Sequence, residues 1–186
     1  MTHRRDTPAV AHRRAGGIAA GHDCPVEPPG DLPVRIVTAL AERKQTLATA
    51  ESLTGGLLGA AITAVPGASD VYRGGITAYA TELKAVLLGV PADLLDRHGP
   101  VHPDVAAAMA TGARDRLGAT WGLATTGVAG PDPVDDHPPG TVHIAASAGV
   151  PVTRSLALVG GRDAVRRETV REALRLLWDV LWEEAS

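Results

Sequence analysis

A serine set between a strand-like run and a glycine-bearing helix start is the first candidate for chemistry in this chain. Residues 46–50 lead into Glu51-Ser52-Leu53-Thr54-Gly55-Gly56, and an apolar helical stretch follows at once. Unpaired backbone N–H groups and the positive end of a helix dipole gather at such a junction. Three uses of Ser52 are open: a helix cap, part of a phosphate cradle with Thr54, Gly55 and Gly56, or a nucleophile on an amide carbon. Thr54 could cap in its place. The glycine spacing matches neither a dinucleotide fingerprint nor a Walker loop.

A serine hydroxyl attacks poorly until a base takes its proton. No histidine stands at a strand end in a triad order. Tyr79 and Lys84 offer another route, since a lysine desolvated beside a phenol can act as a neutral base. On one helix, residues five apart point about 140° away from each other. The pair therefore converges only if Tyr79 ends a strand and Lys84 lies in the next helix. Its spacing differs from the Tyr-x-x-x-Lys pair of short-chain dehydrogenases. An interfacial tyrosine with a solvated lysine is the plain alternative.

A third cluster is Thr125-Thr126-Gly127-Val128-Ala129-Gly130-Pro131-Asp132, where Thr126, Gly127 and Gly130 could let backbone approach a ligand. Arg73 is a candidate for bidentate phosphate or carboxylate binding. The acidic loop of Asp132, Asp135, Asp136 and His137 reads as solvated rather than metal-binding.

Helical periodicity covers residues 31–43, with Asp31 as N-cap, then 53–64, 82–88 with Thr81 as cap, 91–97, 102–117, and a last helix to about residue 183. Strand patterns cover 46–50, 71–79, 121–126, 141–148 and 152–159, the last two joined by Gly149-Val150-Pro151 as an antiparallel pair. The alternation predicts a three-layer α/β/α sandwich with a mixed, mostly parallel sheet of about five strands. In such sheets ligands lie beyond the carboxyl ends of the parallel strands. Ser52, Tyr79 and Thr126-Gly127 fall at three of those ends.

The 186 residues suit one domain, and residues 1–30 lack periodicity and read as a mobile tail before a domain over 31–186. A net charge of −3 argues against duplex binding. One cysteine excludes an internal disulfide, and no run reaches the roughly 20 apolar residues of a membrane span. A cytoplasmic protein is expected, with no nucleic-acid or membrane partner.

Taken together, Thr49 to Gly56, Arg73-Gly74-Gly75-Ile76-Thr77-Ala78-Tyr79 with Lys84 beyond it, Gly99-Pro100-Val101, Thr126 to Asp132 and Gly140-Thr141-Val142 resemble the CinA C-terminal domain family. The resemblance covers residues 32–182 in order. Stand-alone members of that family are nicotinamide-nucleotide amidohydrolases. It implies hydrolysis of the nicotinamide mononucleotide carboxamide to nicotinate mononucleotide and ammonia, without metal or cofactor, with Ser52, Tyr79 and Lys84 as the catalytic set. The length leads us to expect the stand-alone form, acting on a small nucleotide, and a homo-oligomer. Three departures are visible: Leu53 where many members have cysteine, Ala80-Thr81 in place of Ser-Asn, and Pro133 inside a glycine-rich stretch. The rival reading is a non-catalytic nucleotide- or partner-binding module.

Overall fold

The computed structural model describes residues 31–183 together with Arg13 and Arg14. In chain order the elements are β1 (Arg13–Arg14), α1 (Leu32–Glu42), β2 (Leu47–Glu51), α2 (Leu57–Thr63), a 3₁₀ turn (Ala68–Asp70), β3 (Tyr72–Thr77), α3 (Thr81–Leu88), α4 (Ala92–His98), α5 (Pro103–Leu117), β4 (Trp121–Gly127), β5 (Thr141–Ser147), β6 (Val152–Ala157) and α6 (Arg162–Glu183). The sheet runs β1-β6-β5-β4-β2-β3. β3, β2 and β4 are mutually parallel, and β5 and β6 form the antiparallel hairpin. The mixed α/β/α sandwich is thus as read from the sequence. One addition is the two-residue β1, paired in parallel with Val152 and Thr153. It lies in the segment read as a tail, whose other residues fall outside those described.

Strand alternation assigns the two helical layers. Leu47, Leu123, Val142 and Ile144 pack with α1, α2 and α6, whose contributions include Ile36, Leu40, Leu58, Ile62, Leu177 and Leu181. The other face carries Ala48, Ala50, Ala124 and Ala145 against Ala106, Met109, Ala110 and Ala113 of α5, with α3 and α4 alongside. Small side chains on both sides let α5 lie close to the sheet. Gly122 sets the limit, because a Cβ there would sit 1.9 Å from the Ala110 carbonyl oxygen.

The same alternation decides what happens at the end of β2. Glu51 points to the α2 side and Ser52 to the α3 side. Buried Glu51 accepts from the N–H groups of Gly56 at 2.9 Å, Leu58 at 3.0 Å and Gly59 at 2.8 Å. A carboxylate at a helix N-terminus satisfies orphan donors and complements the dipole. This changes two expectations. α2 starts at Leu57 rather than residue 53, because Gly55 (φ +59°) and Gly56 (φ +99°) form a left-handed turn before it. Thr54 is not the cap, since its hydroxyl instead meets that of Thr125 at 2.8 Å. Two caps also differ in detail: Ala80, not Thr81, precedes α3, and Asp31 precedes α1 without a side-chain bond.

Replacing Glu51 by Ala removes the acceptor of three N–H groups and leaves a void. We expect a loss of about 2–4 kcal/mol in urea unfolding. A loss below about 1 kcal/mol would show that water satisfies the α2 terminus equally well.

Candidate active site

The parallel strands β2 and β4, and the segment after β3, deliver Ser52, Thr126-Gly127 and Tyr79 to one edge of the sheet. All of them line an open cleft of about 200 Å³, together with Leu53, Lys84, Pro100, Val101, residues 128–130, Asp132 and Arg162.

Its floor is a serine–lysine pair. Ser52 is 8% exposed and Lys84, from α3, only 1%. The Lys84 ammonium donates to Ser52 Oγ at 3.0 Å and to the Ala78 carbonyl at 3.2 Å. Strand pairing fixes the serine: its N–H donates to the Thr125 carbonyl at 3.0 Å, while the Ala78 N–H donates to Glu51 O at 2.9 Å. Desolvation lowers the Lys84 pKa from the ordinary 10.5 to about 8, against a smaller opposing pull from Glu82. The neutral amine is therefore accessible near physiological pH.

Tyr79 stands at the mouth rather than on the floor. It is 59% exposed, and its hydroxyl accepts from Arg162 Nη2 at 2.8 Å. Among the described residues its hydroxyl bonds to neither Lys84 nor Ser52, so the expected phenol–lysine pairing is not formed. Both residues nevertheless face the same space, as strand end and following helix require.

Thr126 and the glycine segment belong to the cleft wall. The Thr126 hydroxyl donates to the Pro100 carbonyl at 2.7 Å and so ties the loop before α5 to the end of β4. Gly127 is obligatory on steric grounds, since a Cβ would meet Thr141 O at 2.5 Å. The N–H groups of Leu53, Ala129 and Gly130 donate to no acceptor among the described residues and lie along the cleft.

Four expected binding residues are elsewhere. Gly55 and Gly56 build the turn ahead of α2 and do not line the cleft; the Gly56 N–H is already taken by Glu51. Thr54 is fully buried against Thr125. Arg73 sits near the start of β3, at the opposite end of the strand from Ser52's edge, and its Nε donates to Leu117 O at 3.3 Å. A strand rises about 3.3 Å per residue, so position within β3 alone separates Arg73 from the cleft.

Sequence reading overlooked the cation that does reach it. Arg162, the first residue of α6, donates to the Gly130 carbonyl at 2.8 Å as well as to Tyr79. Arg166 lies one turn further and donates to Leu53 O at 3.0 Å and Thr54 O at 2.9 Å. Residues four apart share a helix face. That spacing just after Gly160-Gly161 was the available signal. No cluster of His, Cys, Asp or Glu among the described residues is placed to hold a metal ion. His143 is buried against Ser155, and burial lowers its pKa to about 4, so it stays neutral.

The Lys84 shift has a consequence for stability. Between about pH 8 and 10.5 the unfolded chain holds a proton that the folded chain has lost, so stability rises with pH in that window. Below about pH 8 the cost of the buried ammonium is present in full. Unfolding of wild type and Lys84→Met should show wild type gaining on the variant between pH 8 and pH 10. A constant difference would contradict the lowered pKa.

The family model of the CinA C-terminal domain matches residues 30–181. A CinA-like protein of Frankia casuarinae is 54% identical over 76% of this chain, and one of Parasynechococcus marenigrum 51% over 75%. The chain spans about a third of the length of these curated relatives, 33% and 34%. Among solved structures, the competence/damage inducible protein CihA of Agrobacterium tumefaciens matches with a TM-score of 0.77 and 37% identity, covering 81% of this chain and 96% of that one. A competence-damaged protein (CinA) superfamily member from Klebsiella pneumoniae matches with a TM-score of 0.80 and 34% identity, covering 82% and 97%. With the family model matching 152 of the 186 residues, from before α1 to near the end of α6, this chain belongs to the CinA C-terminal domain family.

Proposed function

We propose that the chain is an amidohydrolase that converts the carboxamide of nicotinamide mononucleotide to nicotinate mononucleotide and ammonia, with Ser52 as nucleophile. The observation that carries this reading is the 3.0 Å contact between Ser52 Oγ and a lysine whose pKa is lowered to about 8. A structural lysine would be expected to find a carboxylate; this one faces a hydroxyl and a carbonyl oxygen.

In the proposed reaction neutral Lys84 takes the Ser52 proton as Oγ bonds to the carboxamide carbon. The carbonyl π pair moves to oxygen, and free N–H groups along the cleft stabilise the oxyanion, each such donor contributing roughly 3–4 kcal/mol. Collapse breaks the C–N bond, and the Lys84 ammonium gives its proton to the departing nitrogen, releasing ammonia. Water then attacks the acyl-serine, losing its proton to Lys84, and the carboxylate leaves as Ser52 recovers its proton. Arg162 at the mouth suits the substrate phosphate, and the exposed Tyr79 ring suits the pyridine. Hydrolysis in pyridine nucleotide recycling is the corresponding cellular role.

Ammonia release from nicotinamide mononucleotide by wild type, Ser52→Ala and Lys84→Ala, each confirmed as folded, tests this. The expected result is turnover in wild type and a loss of at least roughly 1000-fold in both variants. kcat/KM should rise about tenfold per pH unit up to about pH 8 and level above it, following the neutral amine. Absence of turnover in wild type would favour a non-catalytic nucleotide-binding module; equal rates in all three proteins would refute the assigned roles.

A further inference from the structure

We propose that Arg166 is a positioning residue that aims the Leu53 N–H at the oxyanion by clamping the two carbonyls that follow Ser52; this rests on the amidohydrolase reading above. The argument concerns peptide planes. In a trans peptide the C=O and the N–H of the same unit point in opposite directions. Holding one end therefore aims the other.

Residues 52–56 belong to no helix or strand, so their planes are set by individual contacts. Arg166 Nη2 holds the Thr54 carbonyl at 2.9 Å. That orients the Gly55 N–H of the same peptide unit, which donates to the Ser52 carbonyl at 3.1 Å. The Ser52 carbonyl in turn shares its plane with the Leu53 N–H. This donor has no acceptor among the described residues, and Leu53 lines the cleft while its side chain packs in the apolar core. Arg166 Nε holds the intervening Leu53 carbonyl at 3.0 Å, which fixes the third plane of the series. One guanidinium thus sets three successive peptide units beside the nucleophile.

Arginine suits this role because its planar fork spans two acceptors at once, which a lysine ammonium on a flexible stem cannot match. Gly55, with a φ of +59°, makes the left-handed turn that follows these carbonyls. Arg166 does not line the cleft, unlike Arg162 one turn before it. Its effect is thus transmitted through the backbone rather than through substrate contact.

The test compares wild type, Arg166→Gln and Arg166→Lys for kcat and KM on nicotinamide mononucleotide, with amide hydrogen exchange on each free protein. We expect Arg166→Gln to lower kcat roughly 100-fold, with KM changed less than about threefold, because a donor misplaced by about 1 Å loses most of its value. Arg166→Lys should recover only part of kcat. The Gly55 amide should exchange faster in Arg166→Gln while β4 amides keep their protection, which separates a local loss of aim from general destabilisation. An unchanged kcat, a rise in KM alone, full recovery by lysine, or unaltered Gly55 exchange would each overturn the assignment and leave the amidohydrolase reading standing. A wild type that releases no ammonia removes that reading, and the catalytic assignment of Arg166 falls with it, whatever the exchange data show.

Discussion

The site depends on one costly placement, the burial of the Lys84 amine against Ser52. A charged ammonium with no carboxylate partner in its contacts loses hydration, and the two oxygen acceptors return only part of it. The fold holds Lys84 there because α3 packs against the α5 side of the sheet and carries the side chain beneath the end of β2. Strand alternation then places Ser52, and not Glu51, on that side. A one-residue slip in β2 would exchange the two and bring a carboxylate to the lysine, giving an ion pair with an ordinary charged amine.

Glu51 and Ser52 thus divide the work of one strand end. Glu51 occupies the N-terminus of α2, the place where an anion would otherwise bind. Cationic character at the cleft comes instead from α6, through Arg162 at the mouth. In the proposed reaction the chemistry lies between two helical layers: α3 supplies the base, and α6 supplies the cation and the clamp on residues 53 and 54. Residues from both layers reach the cleft at the carboxyl edge of the parallel strands, the usual location of ligand sites in open α/β sheets.

Much of this was legible beforehand. Periodicity located every helix and the five longer strands, and the strand-end rule brought Ser52, Tyr79, Lys84 and Thr126-Gly127 to one cleft. Gly130 also lies there. What failed was local. A glycine pair beside a helix start, as at Thr54-Gly55-Gly56, resembles a ligand cradle; the sequence does not reveal that Glu51, five residues before Gly56, fills it. Arg73 has the residue type of an anion binder, but its place near the start of β3 keeps it from the cleft. Arg162 and Arg166 come from more than 80 residues beyond Tyr79, and their arrival depends on how α6 crosses the sheet. Their i,i+4 spacing marked a shared face without saying what that face meets.

The central claim is that Lys84 is a neutral base in waiting, and its own titration tests that most directly. In the intact protein, labelled with ¹⁵N at lysine ζ positions and assigned with Lys84→Met, the account predicts a midpoint at about pH 8. A midpoint at the ordinary 10.5 would mean a charged, solvated or ion-paired amine, and the serine–lysine chemistry built on it would not stand.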